Sequence, residues 1–251
     1  MKLSVCIDAL YSGDVIRGIE ETAQAGLSAF EFWGWTDKNV EAMAEKAEAL
    51  KLKVAAMCTR NFVLNDPAKR EEFLEGLKAT VPVAQRLGCP TLITQVGQDN
   101  GQDRAVQHAS IVDGLKAAAP ILEEAGLTLV IEPLNLRVNH AGYYLAGSDE
   151  AFAIVKEVGS NHVRVLFDIY HQQITEGDVV RRLLANLPLI GHFHAAGNPG
   201  RNELTRGELN YRYIFDAIRE AGYEGYVGLE YIPLGNALDG LREAAALAGE
   251  A

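Results

Sequence analysis

Cysteine is scarce and shows no pairing pattern. The three present, Cys6, Cys58 and Cys89, are widely spaced and form no Cys-x-x-Cys. Neither a disulfide framework nor a structural zinc site is expected, and they read as buried reduced thiols. No run approaches the ~18 consecutive apolar residues of a membrane span. The start, Met1-Lys2-Leu3-Ser4-Val5-Cys6-Ile7-Asp8, is too short an apolar stretch for a signal peptide. Excess positive charge is missing too: 23 Lys and Arg against 34 Asp and Glu give a formal net charge of -11. Binding to a phosphate backbone or to anionic lipid wants a basic face, so neither nucleic acid nor a membrane is an expected partner. The expected location is cytoplasmic. There is no Gly/Ser/Pro-rich linker, charge block or low-complexity tract, which leaves one domain over residues 1–251. The first strand is followed by Asp8-Ala9-Leu10-Tyr11-Ser12-Gly13. This is no GxGxxG, and it argues against an open dinucleotide-binding sheet. P-loop, HExxH and GxSxG patterns are absent as well.

What is present is a rhythm. The 251 residues, 48% hydrophobic and 23% charged, suffice to bury a large core without covalent staples. Short β-branched runs predict strands at Lys2–Ile7, Ala29–Trp33, Lys53–Met57, Thr91–Val96, Thr128–Glu132, Val163–Asp168, Leu189–His194 and Tyr226–Glu230. Amphipathic runs predict helices at Asp14–Ala25, Lys38–Leu50, Pro67–Leu87, Arg104–Glu124, Ser148–Val158, Asp178–Ala185, Tyr211–Glu220 and Leu238–Ala248. Gly26, Gly88, Gly126, Gly159 and Gly222 stand where these helices should stop. A β-then-α unit repeated eight times over this length is the arithmetic of an α/β fold of the (β/α)8, or TIM, barrel type.

In such a barrel the chemistry sits at the carboxyl ends of the strands. Four consecutive predicted strands end in Glu132, Asp168, His194 and Glu230. The two-residue strand period puts Val130 with Glu132, Leu166 with Asp168, His192 with His194 and Gly228 with Glu230 on common faces, so all four terminal side chains can enter the barrel mouth. Three carboxylates cannot converge in a partly buried place without a counter-charge. A divalent cation supplies it, and three hard oxygens with one imidazole suit Mn²⁺, Mg²⁺ or Co²⁺. His192, one layer deeper, reads either as a partner of a ligand or as a satisfied core histidine. Phe32 and Trp33, with Trp35 close by, follow the second strand and offer walls for a small pocket. Glu203 and Glu208 read as loop-ordering residues, and His108, His140 and His162 as surface residues.

Glu132-Pro133-Leu134-Asn135, Phe167-Asp168-Ile169-Tyr170-His171, Gly191 to Arg201, Gly207-Glu208-Leu209-Asn210-Tyr211 and Gly228-Leu229-Glu230-Tyr231 together resemble the hydroxypyruvate isomerases. These belong to the xylose-isomerase-like barrel superfamily, with ketose 3-epimerases and endonuclease IV as relatives. The resemblance implies metal ligation by Glu132, Asp168, His194 and Glu230, and an acid/base pair of Glu132 and Glu230. It also implies substrate contacts from His171 and Arg201. An arginine fork suits a carboxylate better than a sugar hydroxyl. There are departures. The isomerases usually carry Gln where this chain has His194, which is more typical of the epimerases. The loop Cys58 to Asn65 is shorter than the isomerase pattern. Against the epimerases, Val138 stands where a Glu is expected and Gly200 where an Arg is expected, Arg201 being one place on.

The expected function is therefore a metal-dependent isomerase of a small hydroxy-carbonyl acid, hydroxypyruvate to tartronate semialdehyde, through an enediolate. A ketose 3-epimerase is the alternative. A nuclease or a non-catalytic binding barrel ranks lower, because six His and a net charge of -11 fit a nuclease poorly and a binding barrel does not need two glutamates on one ion. The expected partner is a small-molecule substrate, and a homo-oligomer is compatible with this reading.

Overall fold

The strand runs are apolar on both faces, the pattern of parallel strands covered on each side. In the computed structural model, which describes residues 1–249, they form β1 (Lys2–Cys6), β2 (Ala29–Phe32), β3 (Lys53–Cys58), β4 (Thr91–Thr94), β5 (Thr128–Ile131), β6 (Val163–Asp168), β7 (Ile190–Ala195) and β8 (Tyr226–Leu229). Neighbours pair in parallel from β1 to β8, and β8 pairs back to β1, closing a barrel without edges. The chain is a single (β/α)8 barrel, as its sequence pattern predicts. The last two residues of the expected 1–251 span lie outside the described residues.

All eight predicted helices form: α2 (Val15–Gln24), α3 (Val40–Leu50), α4 (Arg70–Leu87, preceded by a 3-10 turn at Pro67–Lys69), α5 (Arg104–Ala125), α6 (Ser148–Val158), α8 (Val179–Ala185), α9 (Tyr211–Glu220) and α10 (Ala237–Ala248). Asp14, Asn39, Asp103, Asn210 and Asn236 each start a helix by accepting a backbone N–H. Gly88 and Gly126 end α4 and α5 in the left-handed region, at φ 60° and 68°. Two helices were not expected: α1 (Ile7–Tyr11) and α7 (Ile169–Thr175), which leave β1 and β6 without a loop. Segments of five and seven residues are too short to show a 3.6-residue period. Among the described residues, no helix is long and apolar enough to cross a membrane.

The main core lies between barrel and helices, where Phe30, Phe73, Leu115, Phe167, Phe193 and Phe215 are almost fully buried. A second cluster is separate from it: Ala56, Ile93, Val130 and Leu166, contributed by β3 to β6. These are the inward residues of half the barrel. The other half, β7, β8, β1 and β2, contributes His192, Gly228, Ser4 and Glu31. The barrel interior is therefore apolar on one side and polar on the other, and the polar side lies under the mouth. Leu166→Ala should lose about 2–5 kcal/mol of stability, since a filled interior layer leaves little room to collapse. Guanidinium unfolding followed by circular dichroism reads this, and a loss below about 1 kcal/mol contradicts the assigned packing.

Candidate active site

The registers of β6, β7 and β8 bring the predicted residues to one level. Asp168 pairs with His194, and His194 pairs with Gly228, two residues before Glu230. Glu132 and Glu230 follow the last residues of β5 and β8 directly. A cavity of about 420 Å³ opens here, and Trp33, Glu132, His171, His194, Arg201 and Glu230 all line it. Asp168 is only 2% exposed and lies behind that lining. One donor atom from each of Glu132, Asp168, His171 and Glu230 fits within a 4.8 Å cluster. His194 approaches from the barrel floor, with Nδ1 3.4 Å from Glu132 Oε1 and 3.5 Å from Glu230 Oε2.

Beneath His194 stands a residue the sequence reading missed. Glu31, 1% exposed, interrupts the apolar run Ala29-Phe30-Glu31-Phe32 of β2. Its Oε2 accepts from Ser4 Oγ at 2.6 Å and from His192 Nε2 at 2.8 Å, and its Oε1 lies 2.7 Å from His194 Nε2. Gly228 leaves the space: a Cβ there would fall on the Glu31 carboxylate. Burial alone would raise the Glu31 pKa, but the His192 and His194 rings outweigh it and hold the group well below the usual carboxylate range. Glu31 is thus an anion. His194 Nε2 lies against this carboxylate, and although burial opposes it, Glu230 and Glu31 hold the ring well above the usual imidazole range. His192 acts on His194 through this carboxylate. The signal in the sequence was a lone acid inside a strand buried on both faces.

His171 has the opposite polarity. Asn135 Oδ1 accepts the backbone N–H of Val138 at 2.9 Å and of Asn139 at 3.3 Å. This fixes the amide, so Asn135 Nδ2 donates to Asn139 Oδ1 at 2.9 Å and to His171 Nδ1 at 2.6 Å. With Nδ1 accepting, the neutral ring carries its hydrogen on Nε2, a buried atom without a hydrogen-bond partner. Burial keeps the ring neutral, pushing its pKa down to about 4 against the pull of Asp168. His171 thus turns its N–H toward Asp168 Oδ2, 3.6 Å away, whereas His194 stands above Glu31 with Nδ1 toward Glu132 and Glu230.

The two glutamates are also unequal. Glu230 Oε1 accepts from Trp33 Nε1 at 2.7 Å, and its Oε2 is paired with Arg201. Although burial opposes ionisation, His194 and Arg201 keep Glu230 well below the carboxylate range. Trp33 therefore does more than wall the pocket, and its own backbone N–H is held by Asp8 Oδ2 at 2.7 Å. Phe32, by contrast, is 1% exposed and belongs to the outer core. Glu132 Oε1 has no hydrogen-bond partner. Burial, reinforced by Glu230 and Asp168 against His194, pushes Glu132 up to about 7. Arg201 lies over the Tyr170 ring, 5.4 Å from its centroid.

The unpartnered Glu132 Oε1 and His194 Nδ1 face the same space as the carboxylates of Asp168 and Glu230. Three hard oxygens and one imidazole nitrogen, short of positive charge, fit a divalent cation of the Mg²⁺ or Mn²⁺ kind. The loop after β7 supports this arrangement. Gly207, at φ 115°, packs on the Asn198 carbonyl, which accepts Glu208 N at 2.9 Å. Tyr211 Oη donates to Ala196 O at 2.7 Å. The Gly207 to Tyr211 string thus serves loop closure. Glu203 also orders a loop, accepting Leu234 N at 2.8 Å. Two readings need correction. His140 is not a surface residue: it lines the cavity, its ring centroid 5.2 Å from that of His171. Cys58 is not fully buried but lines the same cavity, while Cys6 and Cys89 are buried.

Glu31→Gln removes the anion that orients His194. Such outer partners are typically worth about 10–100-fold in metal affinity, so calorimetric titration with Mn²⁺ should show a loss of that order while circular dichroism stays unchanged. Unaltered Mn²⁺ affinity in the folded variant would contradict the role.

Comparison with known proteins agrees with this architecture. A family model described as xylose isomerase-like TIM barrel matches residues 19–249. The hydroxypyruvate isomerase of Escherichia coli (strain K12) is 31% identical over 241 residues, 91% of this chain and 92% of that protein. The 2-oxo-tetronate isomerase of Cupriavidus necator is 43% identical over 139 residues, 55% of this chain and 53% of that protein. A crystal structure described as an AP endonuclease, family 2, from Brucella melitensis superposes with a TM-score of 0.93 at 28% identity, covering 98% of both chains. The chain belongs to the xylose isomerase-like TIM barrel family, in its hydroxypyruvate isomerase branch, and is an isomerase.

Proposed function

We propose that this isomerase interconverts a small hydroxy-carbonyl acid of the hydroxypyruvate/tartronate semialdehyde type, assisted by one divalent cation. Glu132, Asp168, His194 and Glu230 would hold the cation, and Glu132 would carry the proton, with Glu230 held ionised. The observation that carries this is the pair of buried glutamates flanking one cavity, one with both oxygens engaged and the other with a free oxygen. The names of the Escherichia coli and Cupriavidus necator relatives support the substrate class.

When bound, the cation polarises neighbouring carbonyl and hydroxyl oxygens and so acidifies the hydrogen on the carbon between them. The Glu132 carboxylate oxygen not engaged by the cation would take that proton from the hydroxyl-bearing carbon as its C–H bond breaks, leaving an enediolate. Glu132 would return that proton to the adjacent carbon, and the hydroxyl proton would pass to the former carbonyl oxygen, so nothing is gained or lost. His171 Nε2–H donates to a substrate oxygen. Trp33 and Arg201 keep Glu230 ionised and fixed in orientation. Trp33, Trp35, Phe62 and Leu134 line the cavity and limit water around the reacting carbon.

Epimerisation would use the same two glutamates on opposite faces of one carbon, and His194, more typical of epimerases, favours it as the second reading. Nuclease chemistry fits poorly with a net charge of -11.

EDTA should abolish turnover of hydroxypyruvate, and Mg²⁺, Mn²⁺ or Co²⁺ should restore it. At saturating Mg²⁺, Glu132→Gln keeps a ligand oxygen but loses the base. It should lower kcat by about 10²–10⁴, with matching loss of solvent-deuterium entry into the product by NMR. Asp168→Asn should be largely rescued by excess metal. Full activity of a metal-free preparation, or of Glu132→Gln, overturns the scheme.

A further inference from the structure

The resemblance implies a substrate contact for Arg201, and an arginine fork suits a carboxylate, but the structure gives that charge another occupation. Arg201 is paired with Glu230 and lies over Tyr170, so its positive charge is balanced within the protein. The same cavity has a second arginine. Arg60, just past the end of β3, lines it together with Thr59, Phe62 and Trp35. Among the described residues, Arg60 and Arg137 are the two arginines whose guanidinium makes no ion pair, hydrogen bond or ring contact. Arg60 is exposed, yet its unpaired guanidinium belongs to a residue lining the active-site cavity, in a chain with eleven more acids than bases. Arg137, exposed like Arg60, does not line the cavity.

The backbone beneath Arg60 is fixed. Its N–H donates to Thr80 Oγ1 at 3.2 Å. That hydroxyl, on fully buried Thr80 of α4, also receives Trp35 Nε1 at 3.2 Å and donates to Gly76 O at 2.8 Å. One residue earlier, Thr59 N donates to Ile93 O at 2.9 Å. The stem is thus anchored to the barrel while the head is free. The cavity carries fixed anions at Glu132 and Glu230 and, on another wall, an uncompensated cation in the loop that departs from the isomerase pattern.

We propose that Arg60 is the specificity residue that receives the substrate's terminal carboxylate, at a distance from the proton-transferring glutamates. The planar fork matches a carboxylate through two parallel N–H donors, while the Phe62 and Trp35 walls reduce competition from water. This assignment rests on the acid-isomerase reading above and makes the acid, rather than a neutral ketose, the preferred ligand.

The protein has two tryptophans, Trp33 and Trp35, and both line the cavity, so intrinsic fluorescence reports binding there without turnover. The Mg²⁺-loaded protein is titrated with glycerate, an unreactive hydroxy acid, and with dihydroxyacetone, a neutral counterpart. Hydroxypyruvate kinetics are measured in parallel. Wild type should prefer glycerate. Arg60→Ala should reduce the glycerate-to-dihydroxyacetone affinity ratio by about ten- to a hundredfold, the usual effect of losing a charge-assisted contact, and should raise KM for hydroxypyruvate far more than it lowers kcat. Arg60→Lys should recover part of the ratio, and Arg137→Ala should leave it in place. A wild type without preference for glycerate, an unchanged ratio in Arg60→Ala, or an equal change in Arg137→Ala each overturns the proposal. If the wild type binds glycerate through Arg60 yet fails to convert hydroxypyruvate, the acid-isomerase reading falls and the carboxylate site stands. Conversion of hydroxypyruvate with an Arg60→Ala ratio equal to wild type sinks the Arg60 assignment alone.

Discussion

Four carboxylates are buried about one barrel axis: Glu31, Glu132, Asp168 and Glu230, each 7% exposed or less. Buried charge is tolerable only when paired or neutralised, and most of the polar architecture answers to that constraint. Glu31 is neutralised by two histidine rings and a serine hydroxyl. Glu230 is neutralised by an arginine and an indole N–H. Asp168 caps α7 by accepting His171 N at 3.0 Å. Glu132 is left with a free oxygen, and burial pushes its pKa up, Glu230 and Asp168 adding to this against His194.

The two cavity histidines show how second partners decide chemistry. Both lie beside the same carboxylates, and proximity alone does not tell ligand from donor. Asn135, fixed by two backbone N–H groups, turns the His171 lone pair away from the cavity and its N–H inward. Glu31 lies 2.7 Å from His194 Nε2, leaving Nδ1 toward Glu132 and Glu230. Each ring's second partner sits behind it, away from the cavity. The polar half of the barrel interior exists to hold Glu31, and Gly228 is small because the carboxylate occupies its side-chain space.

Much of this was legible in the sequence. The eight strand–helix units, the helix-ending glycines and the strand-terminal Glu132, Asp168, His194 and Glu230 are local patterns with fixed periods. Other features were not. Helices α1 and α7 are shorter than two turns and leave no period. Glu31 looks like an oddity in an apolar strand until the closed barrel sets β2 across from β7. Asn135 and Trp33 owe their roles to partners 36 and 197 residues away, a coupling no window reveals. His140 and Cys58 were misplaced because loops after the strands fold over the mouth, so residues that look like surface or core by type become lining.

We propose that the charge deficit at the mouth is met by one cation held by Glu132, Asp168, His194 and Glu230, with His171 outside the coordination sphere. Anomalous X-ray diffraction from crystals soaked in Mn²⁺ tests it most directly. The account predicts one strong manganese peak bonded to those four side chains, including His194 Nδ1, with His171 outside coordinating distance. A site without manganese, or a manganese ion bound by His171 in place of His194, would contradict it.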